Sequence, residues 1–405
     1  MPDRPAEAEP HILDPDLLQR GVPHRRLAEL RRREPVSLQT LPDGSRYWAV
    51  LTHADVVRVS RDPATFSARR GGINLLDGVH TLPTLLSLDP PEHGEMRRRV
   101  LYAFTPRRVR GLEARMREVV ERSLAAALGK DVCDFVADLA APLPLEMVGD
   151  ILGIPPADRP RVAEWADVLA GADDPEVRER LGGADPNESA LAFGTYAFEL
   201  ARDTSKRGDL GGEDLLSVLQ NAELEGTQVD LSTFAGLFVQ IAIAGNETTR
   251  SLIAAGTLEL ARRPALWERL AASPRLLPGA IEELLRWITP VHYFRRTATR
   301  DVELSGVRIA GGEKVVMVYT AANRDEAAFP EPDRFDPSRD PNPHLSFGFG
   351  EHFCLGAALA RLEARVFFEI FLRRVAGIEL AGEPAWLRSS ELHSLKRMPV
   401  RLRPR

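Results

Sequence analysis

The stretch Phe347-Gly348-Phe349-Gly350-Glu351-His352-Phe353-Cys354-Leu355-Gly356 decides how the rest of this chain is interpreted. Its cysteine stands directly before a helical pattern of apolar residues at positions 355, 359, 362, 366 and 370. The free N–H groups and partial positive charge of a helix N-terminus lower the pKa of a nearby thiol. Gly350 and Gly356 omit side chains where the backbone must turn tightly or approach a flat group. With Phe347 packed over the loop, the segment predicts one shielded thiolate at Cys354.

One thiolate without a second soft ligand beside it suits a single axial bond to haem iron. Zinc and iron–sulfur clusters fit poorly, because those sites take several ligands. The glycine spacing also fails as a dinucleotide-binding loop, since Phe353 stands where the third glycine is required. The alternative is an inert cysteine at a helix start, which is the commoner fate of a lone buried cysteine.

A second unusual stretch is Ile241-Ala242-Ile243-Ala244-Gly245-Asn246-Glu247-Thr248-Thr249-Arg250. A glycine inside a helix costs about 1 kcal/mol relative to alanine, and adjacent threonines compete for the carbonyls of the preceding turn. The stretch predicts a local helix distortion over a reactive site. Thr248 would hydrogen-bond to oxygen or water there, and Glu247 would link that water to bulk solvent. A threonine-rich core helix with a solvated glutamate explains the same residues equally well.

Both stretches resemble signatures of the cytochrome P450 superfamily. The cysteine loop is similar to the haem-binding pattern Phe-x-x-Gly-x-x-x-Cys-x-Gly, matched at Phe347, Gly350, Cys354 and Gly356. The resemblance implies haem b as cofactor, with Cys354 as the thiolate ligand of its iron.

The central stretch is similar to the family's oxygen-activation pattern, Ala/Gly-Gly-x-Asp/Glu-Thr-Thr, with glutamate in place of the commoner aspartate. The match implies that Thr248 steers protons during oxygen activation, that Glu247 supplies the relay, and that Ala244 borders the cofactor.

Chain order gives roles to further residues. Glu283 and Arg286 lie one helical turn apart, a spacing that usually marks only a surface ion pair. Their place between the threonine stretch and the cysteine loop resembles the family's Glu-x-x-Arg helix, and Arg334 matches the third member of that network. The resemblance implies that these three residues are structural and hold the cysteine loop.

His93 and Arg97 share one helical face, and both residue types suit the two carboxylates of haem. A solvated basic face is the alternative. The family pattern is similar here, and Arg296 and His352 match two further propionate contacts. Four neighbouring arginines form either a patch for an acidic ferredoxin or a solvated helix face: Arg98, Arg99, Arg107 and Arg108.

Composition limits the class of protein. The 405 residues are 44% hydrophobic and 28% charged, with a formal net charge of −6, which gives no general attraction to nucleic acid or anionic membranes. Two cysteines cannot form a disulfide framework or a four-cysteine zinc site. The longest apolar stretch is far shorter than the roughly 20 residues that span a bilayer. With no signal-peptide pattern at its start, the chain is expected to be cytoplasmic.

The periodicity predicts a mainly α protein with a minor β region. Helical patterns fall in 95–130, 158–171, 189–206, 213–221 and 229–262, with strands near 35–51 and 302–319. We expect a loose polar arm over 1–12 and a single domain over 13–405. The resemblance implies a cytochrome P450 fold, with haem between the long central helix and the helix after the cysteine loop.

The implied reaction inserts one oxygen atom from O2 into a C–H bond of a hydrophobic small molecule. Electrons would come from NAD(P)H through a separate ferredoxin and reductase, with the enzyme a monomer. A peroxide-driven peroxygenase and a non-catalytic haem or lipid binder are the alternatives, and the Glu247–Thr248 pair argues against both.

The sequences of these motifs resemble those of bacterial enzymes that hydroxylate sterol side chains and methyl-branched lipids. A sterol, a terpenoid, a branched lipid or a polyketide would fit equally well as the substrate. Beyond residues 72–88 and Ala244, the expected pocket lining is Val291, His292, Phe294 and His393.

Overall fold

The computed structural model describes residues 10–77, 84–202 and 231–405. Fifteen helices are present in these ranges: α1 Pro15–Gln19, α2 His24–Arg33, α3 His53–Arg61, α4 Glu92–Leu101, α5 Pro106–Gly111, α6 Glu113–Leu128, α7 Pro142–Leu152, α8 Arg159–Ala170, α9 Pro175–Arg180, α10 Pro186–Arg202, α11 Leu231–Ala261, α12 Pro264–Ala272, α13 Leu277–Ile288, α14 Tyr319–Ala322 and α15 Ala357–Arg374. Single turns of tighter or wider helix occupy Leu85–Ser87, Tyr102–Phe104, Val136–Ala140, Pro274–Leu276 and Gly350–His352.

The strands are short: β1 Val36–Thr40, β2 Arg46–Val50, β3 Phe66–Gly72, β4 Cys133–Asp134, β5 Tyr293–Ala298, β6 Val302–Leu304, β7 Val307–Ile309, β8 Lys314–Val318, β9 Val375–Leu380, β10 Ala385–Trp386, β11 Leu395–Arg397 and β12 Pro399–Pro404. The mainly α architecture with a minor β part is therefore confirmed. The predicted strand regions at 35–51 and 302–319 both form strands.

The main sheet has the order β1-β2-β8-β5-β3. Strand β8 lies at its centre, parallel to β2 and antiparallel to β5. All five residues of β8 are buried, which explains why its sequence is an almost unbroken apolar run instead of an alternating one. Smaller sheets pair β4, β12 and β9, β6 with β7, and β10 with β11.

The long helix α11 forms the centre of the helical part. Its 31 residues correspond to a length of about 46 Å. Its apolar residues join the largest hydrophobic cluster, which also contains residues of α6, α7, α13 and α15. Phe347 of the cysteine loop and the apolar residues of α15 belong to this cluster, while Phe349 packs against one of the two hydrophobic clusters on the faces of the main sheet. Among the described residues, no helix combines the length and apolar character needed to cross a bilayer.

The N-terminal prediction needs a correction. Residues 1–9 and the helical pattern at 213–221 lie outside the described residues, but the predicted arm does not extend to residue 12. Ile12 is 1% exposed and packs in the cluster around Tyr47. The His11 ring is also buried, and its Nδ1 lies 3.2 Å from the Tyr47 hydroxyl. The sequence did not predict the packing of His11 and Ile12, because the ten residues before them are mostly polar.

Candidate active site

A large cavity separates α11 from the cysteine loop. Its non-atom space, including the part that is open to solvent, is about 1430 Å³. Eleven of the residues predicted for the site line this cavity: His93, Arg97, Ala244, Thr248, Val291, Phe294, Arg296, Phe347, His352, Cys354 and Gly356.

The loop before α15 folds on itself to aim Cys354 into the cavity. The backbone N–H of Cys354 donates to the carbonyl of Phe347 at 2.8 Å, and the N–H of Phe353 donates to Gly350 at 3.1 Å. The Phe347 ring is 9% exposed, and the guanidinium of Arg361 lies 4.5 Å from its centroid. The thiol is consequently open on the cavity side and covered from behind, as the sequence predicts.

Gly350, which the sequence predicts to lie against the cofactor, does not line the cavity. Its φ is +69°, a left-handed conformation that favours glycine. A Cβ atom built there would lie 2.7 Å from the carbonyl oxygen of Ser60 in α3. The glycine therefore lets the cysteine loop pack against α3, and its effect on the cofactor site is indirect.

Burial raises the pKa of the Cys354 thiol, although the backbone N–H of Gly356 and the guanidinium groups of Arg97 and Arg361 oppose the rise. The helix-start effect expected from the sequence is present, but desolvation outweighs it. An isolated thiol here stays protonated, whereas a metal ion deprotonates the thiol that it binds. The donor therefore suits a metal centre better than a free nucleophile.

Four basic side chains line the same cavity: His93, Arg97, Arg296 and His352. The two imidazole centroids lie 4.2 Å apart, and the Nε2 atom of each ring is buried without a partner among the described residues. Burial and the neighbouring cations lower the pKa of His93 and lower that of His352 to about 2. Burial also lowers the pKa of Arg296.

Buried polar atoms in proteins are normally hydrogen-bonded. The basic groups and unpartnered imidazole nitrogens in this cavity can therefore bind a group with several negatively charged acceptor oxygens. The two carboxylates of haem would meet that need, and the Cys354 thiolate would be the one protein ligand of its iron. The residues present thus fit the cofactor that the sequence predicts.

The helix α11 runs without a break past the cavity, so the predicted distortion does not interrupt it. The hydroxyl of Thr248 donates to the carbonyl of Ala244 at 2.7 Å. A Cβ atom on Gly245 would lie 2.6 Å from a methyl group of Val148 in α7. The glycine therefore permits close packing of two helices, and the threonine proton is used within the helix.

Glu247 faces away from the cavity and is fully buried. It pairs with Arg250, which also donates to Asp167 of α8 at 2.8 Å. Desolvation raises the pKa of Glu247 to about 7, and Asp167 adds to the rise while Arg250 opposes it. The carboxyl group can therefore gain or lose a proton near neutral pH.

A second cavity lies behind α11, with Asp167 and Arg250 in its wall. Three buried atoms on this wall have no partner among the described residues: Asn246 Oδ1, Arg250 Nε and Ser394 Oγ. The Asn246 amide also donates to Glu247 at 3.3 Å. Polar atoms around a roomy cavity are the usual setting for ordered water, and Glu247 is bonded to two residues of this wall, Asn246 and Arg250.

The predicted Glu283–Arg286 pair is real and fully buried, with Arg286 Nη2 2.7 Å from Glu283 Oε1. Arg286 also donates to the carbonyls of Asn323 and Pro332. The network reaches the cysteine loop through Asn323, whose amide donates to Ser346 at 3.0 Å. The predicted structural role therefore has a physical basis in these contacts.

The assignment of Arg334 to this network is wrong for its side chain. That side chain is 62% exposed and pairs with Glu331 at 3.0 Å, so only its carbonyl joins the network, as an acceptor for Arg286. The second guanidinium on Glu283 belongs to Arg339, which is 8% exposed with Nε at 3.3 Å. No sequence spacing predicts the contact of Arg339 with Glu283, because Arg339 lies in a segment without regular secondary structure.

The predicted substrate wall is only partly correct. Val291 and Phe294 line the cavity, but His292 and His393 do not. Their rings stack behind the wall with centroids 5.2 Å apart, and Trp386 covers His393 at 4.5 Å. Successive residues of an extended chain point to opposite sides, so His292 turns away where Val291 turns inward.

Sequence reasoning missed several lining residues and could not place others. Within the predicted stretch 72–88, residues 78–83 lie outside the described residues. Helices α7 and α11 contribute five lining residues that no sequence pattern indicated. Four of them are apolar and Gln240 is polar: Val148, Ile151, Gln240, Ile241 and Leu252. Their cavity-facing positions depend on how the two helices cross.

Comparisons with known proteins agree with this geometry. The family model described as Cytochrome P450 matches residues 274–376. The linalool 8-monooxygenase of Pseudomonas putida is 37% identical, with 98% of this chain and 99% of that protein covered. The methyl-branched lipid omega-hydroxylase of Mycobacterium tuberculosis strain H37Rv is 38% identical, with 98% and 94% covered.

A solved structure, cytochrome P450 CYP268A2 of Mycobacterium marinum in complex with pseudoionone, superposes with a TM-score of 0.87. It is 36% identical, with 99% of this chain and all of that chain covered. Sequence and fold agree over nearly the whole length, including the cysteine loop and the central helix. The chain therefore belongs to the cytochrome P450 family of haem-binding monooxygenases.

Proposed function

We propose that this protein inserts one oxygen atom from O2 into a C–H bond of an apolar molecule, at the sterol, terpenoid or branched-lipid end of the family's range. The observation that carries the proposal is one cavity that contains both Cys354 and Thr248 and has apolar walls between α7, α11 and the segment 291–294. Relatives named for linalool, methyl-branched lipids and a steroid support this substrate class.

The cofactor contacts follow from the site. Cys354 is proposed as the iron ligand, with His93, Arg97, Arg296 and His352 toward the haem carboxylates. When bound, the haem supplies the oxygen-activating chemistry, and the protein supplies positioning and proton movement. Gly356 and Ala244 line the space on the two opposite sides.

Thr248 is proposed to act as a hydrogen-bond acceptor toward the cavity. Its proton is held by the Ala244 carbonyl, which leaves the lone pairs of the hydroxyl oxygen for a protic donor such as water. Glu247 is proposed to pass protons from the side of α11 on which the second cavity lies. Its pKa near 7 suits proton transfer. Its ion pair with Arg250 holds the carboxyl group in the observed position.

We also propose a cytoplasmic monomer, one domain that contains the packed residues His11 and Ile12 together with the predicted range 13–405, and electrons from NAD(P)H through a ferredoxin reductase and a ferredoxin. Helix α4, which carries Arg97, also carries Arg98 and Arg99. A basic surface on this helix would suit an acidic electron donor.

The test is turnover under ¹⁸O₂ with pseudoionone or linalool, a surrogate ferredoxin, its reductase and NADPH. One ¹⁸O atom in the product is expected. Product formed only with hydrogen peroxide would indicate a peroxygenase instead. Haem binding without a spin-state change or product for apolar probes would favour a non-catalytic binder.

A further inference from the structure

On the cavity wall formed by α11, Gln240 is set apart from the reactive end. It lies two helical turns before Thr248, and the lining residues near it are Leu85, Leu86 and Ile241. Eight residues of α-helix correspond to about 12 Å along the axis. The backbone of Leu85 is hydrogen-bonded to the imidazole of His352, so Gln240 is a polar side chain of the α11 wall that lies near the basic residues of the cavity.

The orientation of the Gln240 amide is fixed by its neighbour. Its Oε1 accepts the backbone N–H of Leu85 at 3.0 Å. A backbone N–H can only donate, so the oxygen and not the nitrogen must face Leu85. The Nε2 group therefore keeps two N–H donors, and neither has a hydrogen-bond partner among the described residues.

We propose that Gln240 determines specificity by donating a hydrogen bond from Nε2 to an oxygen of the substrate. The inference rests on the proposed monooxygenase function. It selects apolar molecules that carry a ketone or hydroxyl group remote from the carbon to be oxidised, because two helical turns separate Gln240 from Thr248, and it disfavours pure hydrocarbons.

The effect of one such bond can be bounded. A neutral hydrogen bond formed in exchange for water changes an equilibrium by about 3- to 10-fold. Gln240 already has its acceptor occupied by Leu85, so little side-chain freedom is lost when the donor is used. The oxygen-bearing substrate should therefore bind about 3- to 10-fold more tightly than a matched hydrocarbon.

The test compares 2-tridecanone with n-tridecane by spin-state titration of the haem-loaded protein. In Gln240→Glu, a carboxylate oxygen still accepts the Leu85 N–H, but the donor is removed. We expect the dissociation constant of the ketone to rise about 3- to 10-fold, with that of the alkane within about 2-fold. Gln39→Glu is the matched control, because Gln39 Oε1 also accepts a backbone N–H, from Ile12, at 3.2 Å.

Product analysis gives a second readout. The wild type should oxidise 2-tridecanone near the chain end remote from the carbonyl, and Gln240→Glu should spread oxidation along the chain. An equal change in affinity for ketone and alkane, no change for either, or equal wild-type affinity for both overturns the assignment. A retained thiolate spectrum and ¹⁸O incorporation would keep the monooxygenase proposal standing in that case.

Discussion

The backbone N–H of Gly356 lowers the pKa of the Cys354 thiol, but burial raises this pKa by more. Metal binding must therefore supply the deprotonated form. In Cys354→Ser we expect loss of the strongly red-shifted Soret band of the reduced, carbon-monoxide-treated protein. Cys133→Ala is the control, since Cys133 is a buried cysteine that lies outside the cavity. A thiolate-type band in Cys354→Ser would refute the ligand assignment.

The Thr248 hydroxyl can be tested against a threonine with the same local bond. Thr248→Ala should divert electrons from product to peroxide or water, because the acceptor facing the cavity is gone. We expect the ratio of product formed to NADPH consumed to fall about 10-fold or more, because a positioned proton-transfer group contributes roughly 10²- to 10⁴-fold to a rate. Thr195→Ala is the matched control, since Thr195 Oγ1 donates to the Leu191 carbonyl at 2.8 Å on an exposed helix face. Unchanged coupling in Thr248→Ala would remove this hydroxyl from proton delivery.

Single residues were predictable from sequence where chemistry fixes their spacing. Cys354 and Thr248 stand in short stretches whose glycine, cysteine and threonine residues violate ordinary helix preferences, and both face the cavity. His292 and His393 were not placed correctly, because which side of an extended segment faces the cavity depends on pairing across the chain. Gln240 carried no local signal at all, since its significance comes from Leu85, 155 residues away.

At the level of elements, Gly350 couples the cysteine loop to α3. Gly350→Ala should reduce haem retention and lower the melting temperature, because a methyl group would press on the Ser60 carbonyl. Gly44→Ala is the control, with a φ of +81° but no atom within 4 Å of the added carbon. Both variants carry the left-handed backbone cost of about 1–2 kcal/mol. Equal losses of stability in the two would show that the contact with α3 is unimportant.

The network around Glu283 gives a second test between elements. Arg339→Ala should destabilise the protein by about 1–3 kcal/mol, because it removes a nearly buried partner of a fully buried carboxylate. Arg334→Ala should cost less than about 1 kcal/mol, as expected for an exposed ion pair. Urea unfolding of the two haem-loaded variants measures the difference. A larger loss in Arg334→Ala would restore the sequence-based assignment.

The sequence predicted which segments form helices or strands more readily than it predicted the contacts made by the segments that connect them. The apolar periodicity of α11 and α15 and the unbroken apolar run of β8 identify these elements directly. The segment 323–346 follows no period, yet its backbone carbonyls and Arg339 hold the Glu283–Arg286 pair. Such contacts arise from irregular backbone whose course no local pattern specifies.

Across the described residues, two buried carboxyl groups and one half-buried carboxyl group have pKa values above the ordinary value for glutamate. Burial raises the pKa of Glu247 to about 7 and those of Glu363 and Glu391 to about 8. Glu363 lies on α15, and its Oε2 has no partner among the described residues. These groups hold protons in the folded protein that the unfolded chain releases near pH 4.

The sign of the pH dependence follows from that difference. A raised pKa means that the stability contributed by protonated Glu363 is complete below about pH 4 and is lost as the pH rises through about 8. Each proton changes the unfolding free energy by at most about 1.4 kcal/mol per pH unit. Glu363→Gln keeps an uncharged polar group of the same size, so its stability should decline less steeply between pH 5 and pH 8.

Urea unfolding at several pH values measures this slope, and Glu379→Gln is the control because Glu379 is exposed on β9. Histidines whose pKa values burial lowers, such as His24 and His352, give an opposing slope below about pH 6.5. They are present in every variant, so they cancel when variant and wild type are compared at one pH. A slope in Glu363→Gln equal to that of the wild type would mean that Glu363 is ionised in the folded protein. A buried cation or an ordered water cluster would then have to stabilise its charge, because an unpaired carboxylate cannot persist in an apolar core.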